Sequence, residues 1–136
     1  VKAWDDCVFE SNPEGNLPIH IACHNEAPLE VIQYLVSIDN ETLKERNAKG
    51  DLALHLACKA KTTKLKVIKY LVHQWPKSMT SNNLNGNMPL HIACGTKAPL
   101  KMIQYLVEQS PESLKRSTDE GMVALHVACQ VKASFK

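Results

Sequence analysis

Gly15-Asn16-Leu17-Pro18-Ile19-His20-Ile21-Ala22-Cys23 decides the fold, because the chain writes this phrase four times. It returns as Gly50-Asp51-Leu52-Ala53-Leu54-His55-Leu56-Ala57-Cys58 and as Gly86-Asn87-Met88-Pro89-Leu90-His91-Ile92-Ala93-Cys94. The last copy is Gly121-Met122-Val123-Ala124-Leu125-His126-Val127-Ala128-Cys129. The glycines step by 35, 36 and 35 residues, a period that marks stacked structural repeats. A second phrase follows each of the first three: Leu29-Glu30-Val31-Ile32-Gln33-Tyr34-Leu35-Val36, with partners starting at Leu65 and Leu100.

Each unit is two short helices. Leu29, Ile32, Leu35 and Val36 fall at helical spacing and make one apolar stripe. Pro28 and Pro99 stand one residue before the stripe, where a proline removes no helical hydrogen bond. The first helix, from about Pro18 to Asn25, is short and mostly apolar. Two turns of helix are not stable alone in water, so neighbouring units must bury it on both sides. Between units, Asn47-Ala48-Lys49-Gly50-Asp51 and Asn83-Leu84-Asn85-Gly86-Asn87 suit a tight turn with positive φ, a hairpin-like tip. The fold class is an all-α repeat solenoid. Its units are 15–49, 50–85 and 86–120, with half a unit at 121–136 and the tail of an earlier one at 1–14.

These phrases resemble the ankyrin repeat, whose turn, helix, loop, helix unit carries a T-P-L-H-x-A signature. The resemblance spans nearly the whole chain. The signature threonine is replaced by Leu17, Leu52, Met88 and Val123, which removes its hydroxyl contact with the histidine. Cysteine stands where the family has its second alanine, and the unit exceeds the family's 33 residues through additions in loops. Phe135 and Lys136 match Leu100 and Lys101, so the chain ends where a second helix begins, and the array is expected to be part of a longer one.

Composition narrows the function. The 136 residues are 44% hydrophobic and 22% charged, which fits one soluble domain with material for a core. No apolar run approaches the roughly 18–20 residues of a membrane helix, so membrane insertion is not expected. A net charge of +2 and 5% aromatic residues give neither the basic stripe nor the stacking rings of a nucleic-acid groove. No nucleophile, base and orienting group can be gathered from residues spread along a rod, so no catalytic residues and no enzyme are expected.

The His-x-x-Cys pairs His20/Cys23, His55/Cys58, His91/Cys94 and His126/Cys129 share a helix face and invite a zinc site. Repeats stacked about 8–10 Å apart keep the pairs from converging on one ion. Neither metal nor cofactor is therefore expected: the histidines brace helix starts and the cysteines act as small buried hydrophobes. Cys7 stands outside the pattern, and an odd thiol count without a disulfide framework points to a reducing, intracellular compartment, the cytoplasm first. Tyr34, Tyr70 and Tyr105 form a column expected to stack as a spine. Trp4 and Trp75 are expected to pack over the connectors. Residues 50–85 carry a net +5, concentrated in Lys59, Lys61, Lys64, Lys66 and Lys69, as a solvated face or a footprint for an acidic partner.

The resemblance implies a non-catalytic protein–protein interaction module that binds through tips and the concave face of the first helices. Matched to this chain, the tip residues are Glu14, Asn16, Lys49, Asp51, Asn85, Asn87, Glu120 and Met122. The helix-end residues are His24, Asn25, Lys59, Gly95, Thr96 and Gln130. These positions vary between copies while the flanking framework is kept. A structural subunit embedded in a large assembly, and a metal- or redox-responsive protein using the His-x-x-Cys columns, are the two other classes that fit.

Overall fold

The computed structural model describes residues 10–60, 65–96 and 98–115. The helices are α1 (Pro18–His24), α2 (Leu29–Ile38), α3 (Ala53–Lys59), α4 (Leu65–Gln74), α5 (Pro89–Gly95) and α6 (Leu100–Gln109). One 3-10 turn follows each outer helix, at Asn40–Lys44, Pro76–Thr80 and Pro111–Lys115. The architecture is an all-α repeat solenoid, and among the described residues the tips are turns without strands. α1 ends at His24, one residue before expectation, because Asn25 is its C-cap.

The inner helices α1, α3 and α5 lie side by side, and the outer helices α2, α4 and α6 each pack on their own inner partner. α3, with neighbours on both sides, buries every residue from Ala53 to Cys58. Ile19, Leu54 and Leu90 continue one another across the repeats, and Ala22, Ala57 and Ala93 let the inner helices approach closely. Sequence alone leaves the connectors undescribed. Their 3-10 turns bury a hydroxyl residue at one register: Thr42, Ser78 and Ser113. Thr42 Oγ1 donates to the Asp39 carbonyl (2.9 Å) and Ser78 Oγ to the Trp75 carbonyl (2.7 Å), closing the turns from within.

The inner helices start on a histidine. Nδ1 of His20, His55 and His91 accepts the backbone N–H of Leu17, Leu52 and Met88 at 2.8, 3.0 and 3.0 Å. The imidazole reaches back from the third helical position, as a glutamate or glutamine does in a capping box. No threonine hydroxyl is needed, which explains how the chain tolerates Leu17, Leu52 and Met88 there. An Nδ1 that accepts leaves the proton on Nε2. That N–H is donated onward, from His20 to the Glu45 carbonyl (3.0 Å) and from His55 to the Ser81 and Asn87 carbonyls (3.0 and 3.1 Å). The brace thus ties each helix to its own connector, and at His55 it also bridges to the next repeat through Asn87.

One expectation about aromatic residues changes. Tyr34 is 66% exposed, so no tyrosine spine runs through the three repeats. At 3.6 residues per turn it lies about 200° around α2 from the buried Ile32, on the solvent side. Tyr70 and Tyr105 are half-buried against the core, and Lys69 Nζ lies 5.7 Å over the Tyr105 ring. Trp75 is half-buried and caps the Pro76–Thr80 turn, while Trp4 lies outside the described residues.

Gly15, Gly50 and Gly86 all have φ near +79° (78°, 79° and 79°), the left-handed region that side chains avoid. At Gly50 a Cβ would also meet the backbone nitrogen of Leu84 at 2.7 Å. A Gly50→Ala substitution therefore combines backbone strain with a clash against the next tip. It should cost about 2–3 kcal/mol, read as a lowered midpoint in chemical denaturation.

Burial, the leading cause, holds the imidazoles of His20 and His55 below their usual pKa, against nearby carbonyls and Asp51 that raise it. In the unfolded chain these histidines take up protons near pH 6.5. Stability from the neutral rings is full above that pH and is lost as pH falls below it. The melting temperature should drop between about pH 7.5 and 5.5, before most carboxylates titrate. A flat profile across that window would contradict the brace.

Candidate functional site

An asparagine three residues before Gly15, Gly50 and Gly86 builds each of these tips. Asn12 Oδ1 accepts from the Glu14 and Asn16 amides, both at 3.0 Å. Asn47 Oδ1 holds Lys49 and Asp51 at 2.9 and 3.0 Å, and Asn83 Oδ1 holds Asn85 and Asn87 at 3.0 Å each. The six tip residues chosen from sequence in these repeats are the ones whose amides these asparagines bind. The asparagines themselves were missed as organisers, although their steps of 35 and 36 residues carried the signal.

The tips are also joined to one another. The Ala48 amide donates to the Glu14 carbonyl (3.2 Å) and the Leu84 amide to the Lys49 carbonyl (3.1 Å). Asn47 Nδ2 donates to Asn16 Oδ1 (2.8 Å), and Asn83 Nδ2 to Asp51 Oδ1 (2.9 Å). Asn16 and Asp51 are therefore rungs of a ladder. Asp51, expected as a contact residue at the surface, is 1% exposed. Its second oxygen lies 4.0 Å from Lys59 Nζ. Asn87 plays a framework part as well, since its carbonyl accepts from His55 (3.1 Å).

The helix ends divide in the same way. His24, Asn25, Lys59 and Gly95 are exposed. Thr96 Oγ1 donates within its own helix end, to Ile92 (2.9 Å), and across to the Cys58 carbonyl (3.1 Å), tying repeat 3 to repeat 2. Glu120, Met122 and Gln130 lie outside the described residues.

A groove of about 330 Å³ brings seven of the chosen residues together, between the first two repeats. Glu14, Asn16, Lys49 and Asp51 come from the tips, and His24, Asn25 and Lys59 from the helix ends. Ile21 and Leu56 give it an apolar floor, which no sequence argument had placed there. Asn85, Asn87, Gly95 and Thr96 do not line this groove. Glu14 and Lys49 face solvent, so the walls carry opposite charge.

The framework offers little reactive chemistry. Cys23, Cys58 and Cys94 are buried free thiols. Burial pushes the Cys23 thiol up to about 12 and raises Cys58 and Cys94 as well, which removes the thiolate needed for attack or ligation. Both ring nitrogens of His20 and His55 are occupied by backbone groups. Among the described residues no group of three or more His, Cys, Asp or Glu could hold a metal ion. None of their helices is long and apolar enough to cross a membrane. Cys23, Cys58 and Cys94 should resist iodoacetamide at pH 8 in the native chain and react on unfolding, as peptide mass mapping can read out.

A comparison with curated proteins finds no match. The family profile described as ankyrin repeats, in three copies, matches residues 4–79 and 60–134. Ankyrin repeats are generally protein–protein interaction modules, and the family is typically non-catalytic. Glycine-hinged tips, paired helices and a matching profile over almost the whole length make this chain a member of the ankyrin-repeat family.

Proposed function

We propose that this chain is a non-catalytic recognition module that holds a partner protein across the tips and inner-helix ends of its first two repeats. The groove carries the proposal: variable, exposed side chains (Glu14, His24, Asn25, Lys49, Lys59) surround an apolar floor on an invariant scaffold. Such a site has the apolar centre and polar rim of a protein interface. Its backbone is fixed in advance by the asparagine and histidine bonds, so little ordering entropy is lost when a partner docks. The buried free thiols fit a reducing intracellular compartment, the cytoplasm first.

Affinity capture from the native source tests this. A Lys49→Glu/Lys59→Glu variant should recover at least about 10-fold less partner, roughly 1.4 kcal/mol of binding. A Lys66→Glu/Lys101→Glu control on the outer helices should recover the normal amount. Equal recovery by all three proteins removes the groove from recognition.

A further inference from the structure

We propose, resting on the recognition function above, that the groove takes an acidic, aliphatic segment of the partner. A carboxylate would meet Lys49 and Lys59, and an adjacent aliphatic side chain would cover Ile21.

The first support is an ammonium with unused donors. Lys59 Nζ stands 4.0 Å from Asp51 Oδ2, beyond the roughly 3.2 Å of a hydrogen bond. The side chain is 42% exposed at the groove, and its partner carboxylate already accepts from Asn83. A carboxylate arriving from solvent can take charge-assisted bonds that Asp51 leaves unmade.

The second support is Lys49. Its amide is held by Asn47 and its carbonyl accepts from Leu84, so the side chain springs from a fixed point. It is exposed and has no ion pair among the described residues. Two cations thus line the groove, Lys49 from the tip before Gly50 and Lys59 from the end of α3. An anionic segment is drawn to them from a distance.

Shape and sign fix the rest. Ile21, 39% exposed at the groove, is apolar surface that an aliphatic side chain next to the carboxylate would bury. Glu14, exposed at the groove, repels an acid placed beside it and so orients the segment toward Lys49 and Lys59. A basic segment is disfavoured, because Asp51 lies buried and two exposed ammonium groups stand against one exposed carboxylate at the groove.

The test uses the ¹⁵N-labelled chain and short capped peptides of alternating glutamate and leucine, or with glutamine or lysine in place of glutamate. The glutamate peptide should shift the amides of Ile21, His24, Lys49 and Lys59 saturably. Its dissociation constant should rise at least about 5-fold as salt goes from roughly 50 to 300 mM. Lys49→Glu/Lys59→Glu should weaken binding at least about 10-fold while spectral dispersion shows the fold intact, and Lys59→Ala should give a smaller loss. Equal binding of the glutamine or lysine peptide, or shifts outside the groove, overturns the proposal. Unmoved amides with the glutamate peptide overturn it too. In that case, partner capture that still depends on Lys49 and Lys59 leaves recognition at this groove standing, and capture that ignores them removes both.

Discussion

The imidazole three residues into each inner helix is the interaction on which the repeats depend. A helix of seven residues has few hydrogen bonds of its own, and the N–H groups of its first turn lack an internal partner. Nδ1 takes one of those orphan groups, and Nε2–H reaches a carbonyl of the connector beyond. One neutral ring therefore starts a helix and ties it to the connector that leads to the following repeat. The bond accepted at Nδ1 requires the uncharged ring, so the dry interior that lowers the histidine pKa also sustains the brace. The same dryness makes the neighbouring thiols inert. A bland chemistry at the centre follows from what the centre has to hold together.

The tips extend that order to the surface. A glycine at positive φ turns the chain sharply, and the asparagine before it satisfies two amides that the turn would leave open. Because each tip also bonds to the next, the tips form a continuous row. The groove is a consequence of this row meeting the exposed ends of α1 and α3. Its walls differ in charge because equivalent tip positions differ, glutamate at 14 and lysine at 49.

Much of this was legible in the sequence, for a physical reason. A repeated glycine demands a repeated backbone conformation, and a repeated apolar stripe demands a repeated burial, so period and helices could be written down directly. The positions that vary against that framework could be marked as tips and helix ends. What was not legible is direction. Asp51 and Lys49 are two residues apart in one tip, yet Asp51 turns inward as a rung while Lys49 faces solvent. Composition cannot separate them, because an aspartate serves equally as a contact or as an acceptor for Asn83. Tyr34 failed as a spine residue for a related reason: register says which residues are equivalent, and angle around the helix decides which are buried.

The exceptions to equivalence are where specificity arises. Position 16 is asparagine and position 51 aspartate, and both accept from the asparagine of the following tip. Only the aspartate brings a charge, and that charge is buried. A buried carboxylate needs a cation nearby, and Lys59 at the end of α3 is the one placed to answer it. Had position 51 been asparagine, as at 16 and 87, nothing in the ladder would change, and Lys59 would be free to extend into solvent. The aspartate instead draws the ammonium over the groove floor without closing a hydrogen bond on it. One framework residue thus sets the position of a contact residue, which is how a stack of near-identical repeats can carry a site at one junction and not at the next.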